Sequence, residues 1–202
     1  MSDSNEAKMR MVLIRHGITK GNIEKRYMGQ TDMSLCPEGI KLIEDNAKAG
    51  MYPKVDMLFI SPLKRCRETA AIIYPDIEPV VIENLKEMDF GDFEGKNYND
   101  LSDNPVYQAF IDSGGELSFP NGENKQDFAK RVMAGLNEAA GLAAGKNAEK
   151  FACIIHGGTT MAACSSLGLA EYFDSIVGNG GKLEIDITYD FSLDRITSGV
   201  LI

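Results

Sequence analysis

The sequence predicts a three-layer α/β/α fold with a mostly parallel sheet, on two observations. Four short apolar runs, at residues 11–14 (MVLI), 55–60 (VDMLFI), 80–82 (VVI) and 151–155 (FACII), suit strands covered on both faces. Segments of helical periodicity separate them, and strands alternating with helices build a sheet between helix layers.

Residues 37–49 place Ile40, Ile43 and Ala47 at helical spacing, with Gly50 as the stop. Ser61 before Pro62 predicts an N-cap with proline in the first turn, and a helix running to about residue 73. Residues 124–144 set Phe128, Val132, Leu136 and Ala140 four apart, the stripe of a long amphipathic helix. Residues 93–124 break the rhythm, with Tyr98, Tyr107, Phe110 and Phe119 scattered among Asn, Asp, Gly and Pro. This stretch reads as an insertion holding one short helix over residues 98–113 and irregular loop, the kind of segment that forms a substrate mouth. Residues 182–202 alternate like a hairpin that adds a strand or two at a sheet edge. Without repeats, low-complexity tracts or linkers, all 202 residues read as one domain, with a loose N-terminus over residues 1–8.

Charge excludes several classes of partner. The 21 basic and 30 acidic residues give a net charge of −9, which argues against a nucleic-acid surface and against adhesion to anionic lipid. No apolar run approaches the ~20 residues that cross a bilayer, so no membrane association is expected. The polar start (MSDSNEAKMR) has no signal-peptide core. The scattered Cys36, Cys66, Cys153 and Cys164 suit reduced thiols in a cytoplasmic protein. The oligomeric state stays open between monomer and homodimer. An anionic substrate would need a local basic pocket within this acidic whole.

The chemistry gathers around the two histidines of the chain. His16 and His156 each follow a predicted strand and each precede glycine. Ligands of open α/β sheets bind beyond the carboxyl ends of parallel strands, so two parallel strands would bring both imidazoles to one crevice. Metal-ligand spacings such as H-x-H or H-E-x-x-H are missing, and Arg15 beside His16 repels a cation and attracts an anion. Arg65, after another predicted strand, adds a guanidinium fork suited to phosphate oxygens. Two arginines, two histidines and strand-end amides describe a phosphoryl pocket. No cofactor and no metal is expected.

The segment Leu13-Ile-Arg-His-Gly-Ile-Thr-Lys-Gly-Asn22 resembles the R-H-G signature of the histidine phosphatase superfamily, also called phosphoglycerate-mutase-like. The signature continues with a hydroxyl residue and an asparagine, here Thr19 and Asn22. The resemblance extends through Arg26-Tyr-Met-Gly29, Asp32, Leu35 and Gly39, then Ser61-Pro-Leu-Lys-Arg65 with Thr69, then Leu85-Lys-Glu87 with Phe90-Gly-Asp-Phe-Glu-Gly95. It closes with Pro120-Asn-Gly-Glu123, Phe128 and Arg131, and with His156-Gly-Gly158. It implies a nucleophilic His16, a proton-donating Glu87, and a phosphoryl group held by Arg15, Arg65, Asn22 and His156, with Thr19 and Gly157 also at the substrate. Glu94 and Glu123 are expected to make structural contacts, and residues 178–181 (GNGG) to form a plain turn, since their spacing is no phosphate cradle.

The family includes phosphatases and mutases. The insertion carries one basic residue, Lys96, and the chain departs from the family pattern at Met28, Cys36 and Thr159-Thr160. So few basic contacts favour hydrolysis over capture of a bisphosphorylated intermediate. The expected activity is a metal-independent phosphomonoesterase acting through phosphohistidine on a small phosphorylated metabolite, similar to the small phosphatases of the family. The alternatives are a phosphoglycerate mutase and a non-catalytic binder of phosphorylated ligands.

Overall fold

The computed structural model describes residues 5–202. Strands β1 (Glu6–Arg15), β2 (Met57–Ile60), β3 (Val80–Val81), β4 (Lys150–Ile155), β5 (Lys182–Asp190) and β6 (Arg195–Leu201) form one sheet in the order β3-β2-β4-β1-β5-β6. The first four strands are parallel; β5 and β6 join antiparallel. The helices are α1 (Lys20–Ile23), α2 (Pro37–Lys48), α3 (Lys64–Ile73), α4 (Tyr98–Leu101), α5 (Pro105–Asp112), α6 (Lys125–Gly145) and α7 (Gly157–Ser166).

Successive strand residues point to opposite faces, and the core divides accordingly. Val12, Ile14, Leu58, Ile60, Ala152 and Ile154 pack with Cys66 and Ala70 of α3. Met11, Leu13, Phe59, Phe151, Cys153 and Ile155 share the larger cluster with α6 and α7. Because both faces are covered, the central strands are apolar throughout, the pattern that marks them in the sequence.

Three local expectations change. Residues 6–8 belong to β1, where Ala7 pairs with Tyr189 and Lys8 with Thr188, so they are not loose; residues 1–4 lie outside the described residues. The helix after β2 starts at Lys64 and not at Pro62; the Ser61 hydroxyl lies 2.8 Å from His156 Nε2 and reaches the Leu63 N–H only at 3.5 Å. Asp32 caps it instead, its Oδ1 accepting the Lys64 N–H at 2.7 Å. The insertion holds two helices where one was expected. Pro105 disfavours helical backbone at Asn104, whose side chain then caps α5 through the Val106 and Tyr107 N–H groups. The expected hairpin adds two strands at one side of the sheet, β5 beside β1 and β6 at the edge.

Candidate active site

Strands β1 and β4 are parallel neighbours with Arg15 opposite Ile155. The next residue on each strand is histidine, so the register alone carries both imidazoles to the carboxyl end of the sheet at one level. The His16 N–H donates to the Ile155 carbonyl at 3.0 Å. The two rings lie 5.2 Å apart between centroids, inclined by 64°, and both are buried.

His16 Nδ1 sits 2.7 Å from the Gly17 carbonyl oxygen. A carbonyl only accepts, so Nδ1 carries the hydrogen and Nε2 keeps its lone pair. Burial, then the charges of Arg65 and Arg15, hold the His16 pKa well below the usual imidazole range. The ring is therefore neutral at neutral pH. His156 is lowered in the same sense, by burial first and Arg65 second. Its Nδ1 accepts from Arg65 Nε at 3.2 Å, and its Nε2–H donates to Ser61 Oγ at 2.8 Å. Both ring nitrogens are engaged with protein groups in this geometry. A donation to phosphate requires exchanging one of these bonds. Cys66 lies against the same ring, and burial pushes its thiol up to about 12, so it offers no competing thiolate.

The two guanidiniums differ. Arg65 is 1% exposed, and its fork is largely committed: Nη1 donates to Thr31 O, and Nη2 to Gly29 O and, at 3.5 Å, to Met28 O. With Nε on His156, one of its five N–H groups remains for a ligand. Glu94 braces the same loop, accepting from the Gly29, Gln30 and Thr31 groups, which is the structural role expected of it. Glu123 likewise pairs with Arg131, whose Nη atoms hold the carbonyls of Asn84, Lys86 and Glu87. Arg15 is freer. Its Nη1 donates to Val177 O at 2.7 Å, but its Nε is buried with no partner among the described residues. A buried unpaired N–H on a cation calls for an acceptor, and an anion supplies one.

Asn22 Oδ1 accepts from the Thr19 N–H, the Thr19 hydroxyl and Asn179 Nδ2 at 3.0–3.3 Å. These three bonds fix the amide orientation and leave its NH₂ as the group on offer. Thr19 is fully buried and its hydroxyl donates to Asn22 Oδ1, so it positions the asparagine. Arg15, Asn22, Lys25, Arg26, Tyr27 and Asn179 line a recess of about 300 Å³.

Glu87 is 7% exposed. Its Oε1 accepts the Met88 N–H and its Oε2 the Gly158 N–H at the start of α7, each at 2.9 Å. Those bonds and the nearby arginines favour the carboxylate, but burial outweighs them and raises the pKa above the usual range. A Cβ on Gly158 would collide with Glu87 Oε1, and one on Gly157 would lie 3.1 Å from Arg15 Cζ. The two glycines let the start of α7 carry the acid on one side and the guanidinium on the other.

Sequence reasoning missed Ser61 and Asn179. The sequence reads Ser61 as a helix cap and residues 178–181 as a plain turn; yet Asn179 Nδ2 also reaches the carbonyls of His16 and Gly17. No local spacing signals either contact, because the partners are 95 and more than 150 residues away. Among the described residues, no group of three His, Cys, Asp or Glu side chains is placed to hold a metal ion, and no helix is long and apolar enough to cross a membrane.

The profile of the histidine phosphatase superfamily (branch 1) matches residues 11–189. The broad-specificity phosphatase YOR283W of Saccharomyces cerevisiae is 30% identical over 74% of this chain and 66% of that protein. The adenosylcobalamin/α-ribazole phosphatase of Escherichia coli is 34% identical over 61% of this chain and 63% of its own. The chain thus spans about two thirds of the length of these two relatives. The crystal structure of the α-ribazole phosphatase from Shigella flexneri superposes with a TM-score of 0.77 at 26% identity, covering 96% of both chains.

Proposed function

The chain belongs to the histidine phosphatase superfamily and is a phosphatase of its phosphoglycerate-mutase-like kind, and from that premise we propose that it hydrolyses small phosphomonoesters through a phosphohistidine on His16, without a metal. The observation that carries this reading is the neutral His16 with its Nε2 lone pair free, set beside the unpaired Arg15 Nε and the buried Glu87.

In the first step, Nε2 of His16 attacks phosphorus as the ester P–O bond breaks, and the leaving alkoxide takes the proton of Glu87. Arg15, the Asn22 amide and the remaining Arg65 N–H hold the equatorial oxygens, where charge is spread in the transition state. His156 keeps Arg65 in place. In the second step, water attacks phosphorus and gives its proton to the Glu87 carboxylate, and the N–P electron pair returns to His16. Free Cys36, Cys66, Cys153 and Cys164 support a reducing, cytoplasmic setting, and the acidic surface supports a small phosphorylated metabolite over nucleic acid as partner.

Replacing His16 by Ala tests the nucleophile. Turnover of p-nitrophenyl phosphate should vanish while circular dichroism stays unchanged, and the wild type should yield an acid-labile phosphoprotein that H16A does not. Near-normal turnover by H16A would remove the assignment. Adding a bisphosphoglycerate primer separates hydrolysis from mutase-type transfer: isomerised phosphoglycerate in excess of free phosphate would favour the mutase.

A further inference from the structure

A second cleft of about 400 Å³ opens beside the phosphoryl site, and its walls are of the opposite character. Tyr27, Phe90, Phe110, Leu117, Met161 and Phe173 contribute to its lining. Two features join it to the proposed chemistry. Tyr27 lines both this cleft and the polar recess beside Arg15 and Asn22. Gly158, whose N–H holds Glu87 Oε2, and Met88, whose N–H holds Oε1, line it as well. A leaving group whose oxygen meets Glu87 therefore has its carbon skeleton at the mouth of an aromatic cleft.

From this juxtaposition we infer that the enzyme selects phosphomonoesters whose leaving groups are aromatic or bulky and apolar, over short polyhydroxylated or carboxylate-bearing ones. The inference rests on the phosphatase reading for what happens at the phosphorus, but the cleft argument concerns binding alone. Size is sufficient, since an apolar cavity of roughly 150 Å³ already takes a benzene ring. Chemistry agrees. Lys125 is the one charged side chain among the described lining residues, and its Nζ is already 3.1 Å from Glu116 Oε1 and 4.8 Å from the Tyr172 ring centroid. A leaving group with a carboxylate would find no free cation there, and one rich in hydroxyls would lose water against apolar walls. The rings of Tyr27, Phe90, Phe93, Phe110 and Phe119 meet one another mostly edge to face, so the wall is built before any ligand arrives.

Calorimetric titration of the intact protein with two non-hydrolysable phosphonates tests this. Phenethylphosphonate should bind about tenfold or more tighter than ethylphosphonate, with a more negative heat-capacity change. Leu117 is half exposed at the rim, so Leu117→Asp should not threaten folding, and it should pull the affinity ratio toward one. A ratio near one in the wild type, an unchanged ratio in L117D, or no measurable binding of either phosphonate would each overturn the inference. Turnover of p-nitrophenyl phosphate, measured alongside, keeps the two readings apart. Turnover with a ratio near one sinks the cleft and spares the phosphatase, whereas a high ratio without turnover does the reverse.

Discussion

Glu87 is pulled in two directions. Two backbone N–H groups and two guanidiniums stabilise its carboxylate, while near-complete burial favours the neutral acid and prevails. A carboxyl with a raised pKa holds its proton further into the pH range of turnover, which a donor to an alkoxide requires. Glu87→Gln should slow alkyl phosphates by roughly 10²–10⁴-fold, and p-nitrophenyl phosphate, whose leaving group needs little protonation, by far less. Loss of an acceptor for one backbone N–H affects both substrates alike and cancels in their ratio; equal losses would therefore remove the acid role. Wild-type turnover of alkyl phosphates should also fall as pH rises through the raised Glu87 value. Residues with such defined tasks were legible because their motifs are short and continuous: Arg-His-Gly, Leu-Lys-Glu, His-Gly-Gly. Ser61 and Asn179 were not, since each works through a hydrogen bond to a residue distant in sequence. The committed fork of Arg65 was hidden for the same reason: its acceptors are loop carbonyls, which any residue type supplies.

At the scale of elements, α6 shows what periodicity can reveal. Its four-apart stripe Phe128, Val132, Leu136 and Ala140 is entirely buried, and Asn124 caps its start through the Asp127 N–H. Leu136→Ala should cost about 2–5 kcal/mol in denaturant unfolding, because a closely packed site closes only partly around the lost atoms. A cost below about 0.5 kcal/mol, the range of surface substitutions, would show that the stripe is not core. The helix also positions chemistry: Arg131 on α6 reaches the Glu87 carbonyl, so a loosened α6 should lower activity as well as stability. The insertion was less legible. Its aromatic residues have no helical or alternating period, since they pack on one another and on Tyr27 rather than along one element. What ended the expected single helix, Pro105 with Asn104 before it, is a local signal that the sequence does contain.

Across the whole molecule, the two histidines tie stability to pH through the same burial that prepares the site. In the unfolded chain each titrates near 6.5, whereas in the folded protein both pKa values lie well below that. As pH falls through 6.5 the unfolded state takes up protons that the folded state refuses, so stability falls with pH, by up to about 1.4 kcal/mol per unit for each histidine. Glu87 acts in the opposite sense. Its folded pKa is raised, so between that value and the ordinary 4.5 the folded state holds a proton that the unfolded state has released, and falling pH stabilises it there. Two groups outweigh one, and the net effect below pH 6.5 is loss of stability. Chemical unfolding at pH 7 and pH 5 should show a smaller loss for the double variant His16→Asn, His156→Asn than for the wild type, because titrating groups elsewhere are common to both. Inorganic phosphate should raise the stability of the wild type at pH 7, as a ligand of the folded state alone must, and do less for the variant. An equal pH response in the two proteins would mean that the imidazoles are not held neutral together, and the nucleophile assigned to His16 would lose its physical basis.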